Sequence, residues 1–310
     1  MKNLPAIAFA LCLSLPAAPV PAQAPAEARP KAVLVTGAST GIGRAITERL
    51  AGDGYFVYAG ARKDADLAEL NAIENVQAIR LDVTKADEIA AAVDTVTKAG
   101  RGLYGLVNNA GVAVAGGFAD LKEEDFDFVM NVNAHGPFRV TQAFLPLIVE
   151  SRGRITTIGS ISGILSSKEL GVYSMSKHAV EAFTDSLAGE MEPLGVAVSV
   201  VEPGNYNTQI GASAEKRTGG PSRLSDRSKY KSPDEVAAAV ALALFGPDPK
   251  RRYMVVPNQY EAEITIKKQI QELVQLNEGH AYTYDRDALV RMLDEALANA
   301  RPAVPAAQPD

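Results

Sequence analysis

The chain has one cysteine, Cys12, and it lies near the N-terminus, so the folded body can form no internal disulfide. Its three histidines, His135, His178 and His280, are scattered without ligand spacing. With no second cysteine to join them, a structural zinc site is excluded and no metal is expected. Cations are outnumbered, 31 Lys and Arg against 37 Asp and Glu, for a net charge of −6. Phosphate backbones need clustered positive charge, so nucleic acid is not the expected partner. Beyond the first residues no apolar run approaches bilayer-spanning length. No Gly-Lys-Ser/Thr closes a P-loop, and "GSISG" carries Ile161 where a nucleophile elbow needs serine.

What is present begins with a leader. Lys2, the short apolar run "LPAIAFALCLSL" and the small-residue site "AQA" at 22–24 read as an export signal, with an uncleaved anchor as the alternative. Leu11 before Cys12 argues against a lipoprotein site. Residues 1–24 are therefore set apart, 25–30 are a linker, 31–300 form one domain, and the Pro/Ala-rich 301–310 is a disordered tail. An exported domain would be a periplasmic or secreted one, and an anchored one would leave the body membrane-bound or in the cytoplasm.

From Lys31 the chain alternates short β-branched runs with helical patterns. Strands are expected over 31–36, 55–61, 76–82, 105–111, 153–160, 195–204 and 252–257, and helices over 43–54, 85–99, 122–150 and 172–192. Several strands are apolar on both faces, which predicts an α/β fold with a Rossmann-like, doubly wound parallel sheet covered by helices on each side. The polar stretch 213–233 breaks this rhythm and reads as a substrate-side loop.

Immediately after the first strand comes "TGASTGIGRA". Gly37, Gly41 and Gly43 would let the chain turn tightly and a pyrophosphate approach the backbone, while the following helix aims its free amides at the anion. The spacing is G-x-x-x-G-x-G. Further on, Tyr173 and Lys177 stand four apart on one helical face, and Ser160 precedes Tyr173 by thirteen positions at the end of a strand. Each of these has an ordinary reading: a surface pair, a turn cap, a tight loop.

Taken in order, "TGASTGIG", "NNAG" and "YSMSK" resemble the short-chain dehydrogenase/reductase family, and "VYAGAR" and "VEPGNYNT" are similar to its hydroxysteroid- and retinol-dehydrogenase-like members. The resemblance runs from about residue 31 to 257. It implies an oxidoreductase moving hydride between NAD(P) and a carbonyl or alcohol, a small or apolar one on the evidence of those two motifs. It also implies a homodimer or homotetramer. Ser160, Tyr173, Lys177 and Asn133 would be catalytic: Tyr173 the general acid or base, Lys177 lowering its pKa and holding the ribose, Ser160 bonding the reacting oxygen, Asn133 holding a relay water. Gly37, Ser39, Thr40, Gly41, Ile42, Gly43, Asp82, Val83, Asn109, Ala110, Gly111, Pro203, Gly204 and Thr208 would bind the cofactor with Tyr173 and Lys177. At the end of the second strand stands Arg62 with Lys63 beside it, where an acidic residue would select NAD. A guanidinium there suits a 2′-phosphate, so NADP is expected, with NAD possible. A regulatory dinucleotide-binding protein without chemistry is the alternative, and the intact Ser160, Tyr173 and Lys177 argue against it.

Overall fold

The computed structural model describes residues 30–218 and 227–300. The leader, nearly all of the linker, the middle of the 213–233 stretch and the tail at 301–310 lie outside the described residues.

Seven strands form one sheet: β1 Ala32–Val35, β2 Phe56–Ala61, β3 Val76–Arg80, β4 Gly105–Asn108, β5 Arg154–Ile158, β6 Ala197–Pro203 and β7 Arg252–Val255. Their order is β3-β2-β1-β4-β5-β6-β7 and every pairing is parallel. All seven expected strands form, trimmed by one to three residues where the chain leaves the ladder. The helices between them are α1 Gly41–Gly52, α2 Asp64–Asn71, α3 Ala86–Ala99, α4 Glu123–Asn133, α5 His135–Glu150, α6 Gly171–Met191, α7 Ile210–Thr218 and α8 Asp234–Phe245.

Alternation along the strands builds two cores. Leu34 and Leu106 point to one face, against Phe144 and Ile148 of α5 and Leu187 of α6. Their neighbours Val33, Val35 and Val107 point to the other, against Ile46 and Leu50 of α1 and Val240 and Leu244 of α8. Burial of each such side chain contributes about 1.5–3 kcal/mol. A sheet apolar on both faces needs both helical layers.

Four features differ from the sequence reading. The helical region 122–150 is two helices: the backbone is distorted at Ala134 (φ −107°, ψ −55°) and α5 restarts with Pro137 in its first turn, where a missing N–H costs nothing. Part of the polar 213–233 stretch is helical, as α7. Helices α2 and α8 lie where no element was expected. Two further helices, α9 Gln259–Leu276 and α10 Arg286–Asn299, follow the last strand. Asn258 caps α9 by accepting from the Glu261 N–H at 3.0 Å, and Asp285 caps α10 by accepting from the Ala288 N–H at 2.8 Å.

The chain runs outward from β1 to β3, then crosses back to β4 and runs to β7. Between the carboxyl ends of β1 and β4 the connections diverge, and such a divergence leaves a crevice in an open parallel sheet.

Candidate active site

A cavity of about 1270 Å³ opens at that divergence. At one end is the glycine turn, residues 37–43, leading into the N-terminus of α1. Two glycines there are obligatory. Gly37 has φ +65°, and a Cβ on it would sit 2.9 Å from Ala110 Cα; a Cβ on Gly43 would run into the Gly37 carbonyl and Asn109 Nδ2. The turn is tied to β4 by side chains. Thr36 Oγ1 accepts from the N–H of Asn109 (2.9 Å) and of Ala110 (3.0 Å), and Asn109 Nδ2 donates to the carbonyls of Thr36 (2.9 Å) and Gly37 (3.0 Å). The first turn of α1 holds no acidic residue. Free amides with no carboxylate nearby make it a cradle that fits a dinucleotide's pyrophosphate.

Beside the turn, Arg62, Lys63 and Asp82 line the wall. Arg62 follows β2 directly, is 63% exposed at its side chain, and reaches Asp82 Oδ2 at 4.0 Å. Asp82 Oδ1 accepts from the N–H (3.0 Å) and the hydroxyl (2.7 Å) of Thr84. Partial burial pushes the Asp82 carboxyl up, but the Thr84 bonds and the charges of Arg62 and Lys85 outweigh it and hold the acid below its usual range. Asp82 thus stays ionised, with one oxygen committed to the turn before α3.

At the other end stand Ser160, Tyr173 and Lys177. Ser160 follows β5 and caps a short turn, its hydroxyl accepting from the Ser162 N–H at 3.1 Å and reaching the Pro203 carbonyl at 3.4 Å. Tyr173 and Lys177 lie one turn apart near the start of α6. The Lys177 ammonium is buried, 5% exposed, and donates to the Ile158 carbonyl at 2.7 Å. It lies 5.7 Å from the Tyr173 ring centroid.

The electrostatics correct one expectation. The expectation is that Lys177 lowers the pKa of Tyr173. Burial instead pushes the phenol above its ordinary value, and the opposing influences are a hydrogen bond with the Ser160 hydroxyl and the charge of Arg227, not Lys177. The ammonium is engaged on Ile158, and burial lowers its own pKa to about 8 against the weaker pull of Glu181. Both groups have lost more hydration than they regain from each other.

Every residue expected to touch cofactor lines this cavity, including Ser39, Thr40, Ile42, Val83, Gly111, Pro203, Gly204 and Thr208. Asn133 does not. It is 2% exposed, and its amide clamps the backbone of Val112, Oδ1 accepting from the N–H and Nδ2 donating to the carbonyl, each at 2.9 Å. Nδ2 also donates to Ser176 Oγ at 3.0 Å, and that hydroxyl donates to the Tyr173 carbonyl at 2.7 Å. Asn133 therefore joins the loop after β4 to the Tyr173 turn of α6.

Sequence reasoning missed several lining residues: Phe128, Arg217, Arg227, Tyr230, Tyr260 and Glu261. They come from α4, from α7 and the chain before α8, and from α9. No local spacing relates them, so only the packing of these elements around the cleft could reveal them.

The model of the short chain dehydrogenase family matches residues 31–219. The mitochondrial D-beta-hydroxybutyrate dehydrogenase of Rattus norvegicus is 40% identical over 186 residues, 57% of this chain and 54% of that protein. Retinol dehydrogenase 7 of Mus musculus is 39% identical over 184 residues, 58% of each chain. The chain thus spans little more than half the length of these relatives. Among solved structures, an alcohol dehydrogenase from the archaeon Thermococcus sibiricus complexed with 5-hydroxy-NADP superposes with a TM-score of 0.64 at 29% identity, over 73% of this chain and 95% of that one. The glycine turn, the parallel sheet order and the Ser160, Tyr173, Lys177 cluster agree with that match over most of the folded body: this chain belongs to the short-chain dehydrogenase family.

Proposed function

We propose that the protein is an NAD(P)-dependent oxidoreductase that interconverts an alcohol and a carbonyl, with NADP(H) as the preferred cofactor. One observation carries the reading: Ser160, Tyr173 and Lys177 meet at one end of a cleft whose other end is a glycine-lined helix N-terminus. A bound nicotinamide dinucleotide would supply the two-electron chemistry. The glycine turn and the first amides of α1 would hold its pyrophosphate, Arg62 and Lys63 its adenosine side, and Thr208 would close over the turn.

The chain's own part is to orient oxygen and move a proton. In reduction, the Tyr173 hydroxyl donates its proton to the carbonyl oxygen as negative charge develops there. Ser160 donates a hydrogen bond to the same oxygen, which lowers the barrier because the donor is already in place. A phenol held above its ordinary pKa is fully protonated at neutral pH and ready to act as an acid. Lys177 keeps positive charge beside the phenolate that is left. Asn133 acts as a positioning residue, since it ties the Tyr173 turn to the loop after β4. In oxidation the proton steps run in reverse. The Arg62 guanidinium, exposed and with no acidic residue in place of it at the end of β2, supports NADP.

The test is turnover of an alcohol and carbonyl panel, followed by nicotinamide absorbance, in wild type and Tyr173→Phe. Tyr173→Phe should lose at least ~10³-fold in kcat while binding NADPH normally. Equal turnover by the two proteins would remove the assignment.

A further inference from the structure

The substrate end of the cleft contains one cation that the reaction does not account for. Arg227 lines the cavity. Its Nη1 donates to the Tyr206 carbonyl at 3.3 Å and its Nη2 to Asn205 Oδ1 at 3.4 Å, both long bonds. Its Nε is buried without any partner. Arg227 forms no ion pair among the described residues. The contrast with the neighbouring charges is sharp. Arg217 Nε donates to Asp125 Oδ1 at 2.6 Å, and its guanidinium stacks on Phe128 at 4.0 Å. Glu261 accepts from the Asn205 N–H at 2.8 Å and from Asn258 Nδ2 at 3.2 Å. Those two are neutralised or satisfied by the fold, whereas Arg227, among the described residues, adds to its two long bonds only the Tyr230 ring, 5.7 Å from its guanidinium to the centroid.

A guanidinium held only by two long bonds to neutral oxygens keeps its charge and donor capacity for a carboxylate. Its location adds a second constraint. The charge of Arg227 acts on the Tyr173 phenol, so the group it binds lies within electrostatic reach of the reacting oxygen.

We propose that Arg227 is the anion-recognition residue of the substrate site, and that the substrate is a short hydroxy or oxo acid. Its carboxylate seats on the Arg227 guanidinium while its carbinol or carbonyl faces Tyr173 and Ser160. The proposal rests on the oxidoreductase reading and departs from the apolar substrate that the strand and turn motifs suggested. Residues 227–233, ahead of α8, are then a specificity segment that contributes one charge to the cleft lining. Fixed donors that hydrogen-bond a substrate group discriminate strongly against an analogue lacking it, because the donors are left unpaired.

The experiment compares a carboxylic acid with its neutral isostere. The probes are 3-hydroxybutyrate and 4-hydroxypentanoate, each paired with its carboxamide, on the full chain with NAD or NADP. Wild type should prefer acid over amide by at least ~10²-fold in kcat/KM, and Arg227→Gln should bring that ratio near one, mostly through KM. Arg227→Lys should restore part of it. The ratio is informative because any effect of Arg227 on Tyr173 itself acts on both substrates alike. A wild-type ratio near one, an unchanged ratio in Arg227→Gln, or weaker binding of the dinucleotide without a change in ratio would each overturn the proposal. The last would assign Arg227 to the cofactor.

Calorimetric titration of the acids into Tyr173→Phe with dinucleotide present gives a readout free of turnover. Acid binding that disappears in the Tyr173→Phe/Arg227→Gln double variant supports the anion site even if the oxidoreductase reading fails. Equal binding in both overturns it.

Discussion

Lys177 Nζ donates to the main-chain oxygen of Ile158 at 2.7 Å, not to Tyr173, whose ring centroid lies 5.7 Å away. The two residues proposed for proton transfer share a helix face but not a hydrogen bond. Their acidities are therefore set separately: the phenol raised by burial, the ammonium lowered to about 8 by burial.

This separation fixes a pH dependence. Alcohol oxidation needs the phenolate, so kcat/KM should climb with pH into the alkaline range. Ser160 opposes the rise in the Tyr173 pKa, so Ser160→Ala should move that alkaline limb to higher pH as well as reducing the rate about 10²-fold. Profiles of kcat/KM against pH for wild type and variant check it. A limb that moves down would contradict the role given to Ser160.

Gly43→Ala should abolish dinucleotide binding. Its Cβ would collide with the Gly37 carbonyl and Asn109 Nδ2, both held by the clamp between Thr36 and β4. The cost in stability should be about 1–3 kcal/mol, the usual range for overpacking, read from denaturant unfolding without cofactor. Retained binding would show that the turn can move.

Arg62→Leu should weaken NADPH about tenfold and change NADH by less than threefold, in titrations followed by nucleotide fluorescence. The Arg62 side chain is 63% exposed and sits 4.0 Å from Asp82, so its loss should leave the fold intact. Equal weakening of both nucleotides would mean that Arg62 does not read the 2′-phosphate.

Behind the site, Glu181 follows Lys177 by one more turn of α6. Burial and the adjacent Glu202 carboxylate push its pKa up to about 8, with Arg252 opposing at 3.3 Å. The other charges near it are Lys177 and Asp185 on α6. The ordinary value is 4.5, so the folded chain keeps a proton that the unfolded chain releases between these two values. That contribution to stability is complete below pH 4.5 and is lost as pH rises towards 8. Glu181→Gln cannot ionise, so its Tm should match wild type near pH 4.5, exceed it increasingly up to about pH 8, and hold a constant advantage above that. A constant difference from pH 4.5 to about 8 would refute the buried proton.

Much of this molecule can be read along the chain. Strand periodicity gives all seven strands, because a buried parallel sheet demands apolar residues on both faces. The turn from Gly37 to Gly43, and the pair Tyr173 and Lys177, are legible because local backbone geometry sets their spacing. Other features depend on which elements meet. The break at Ala134 interrupts a run of helix-compatible residues, and α9 and α10 carry too little buried surface to announce themselves by pattern. Asn133 is named by the family resemblance, yet its bonds to Val112 and Ser176 appear only once the loop after β4 and α6 pack against it.

By itself the sequence determined the sheet, the glycine turn after β1 and the pairing of Tyr173 with Lys177 on one helix face, all consequences of short-range spacing. Only the tertiary structure decided how those side chains titrate and which charges share their cleft. Hydration lost on burial and the approach of Arg227 from a distant segment both depend on distances that no spacing along the chain encodes.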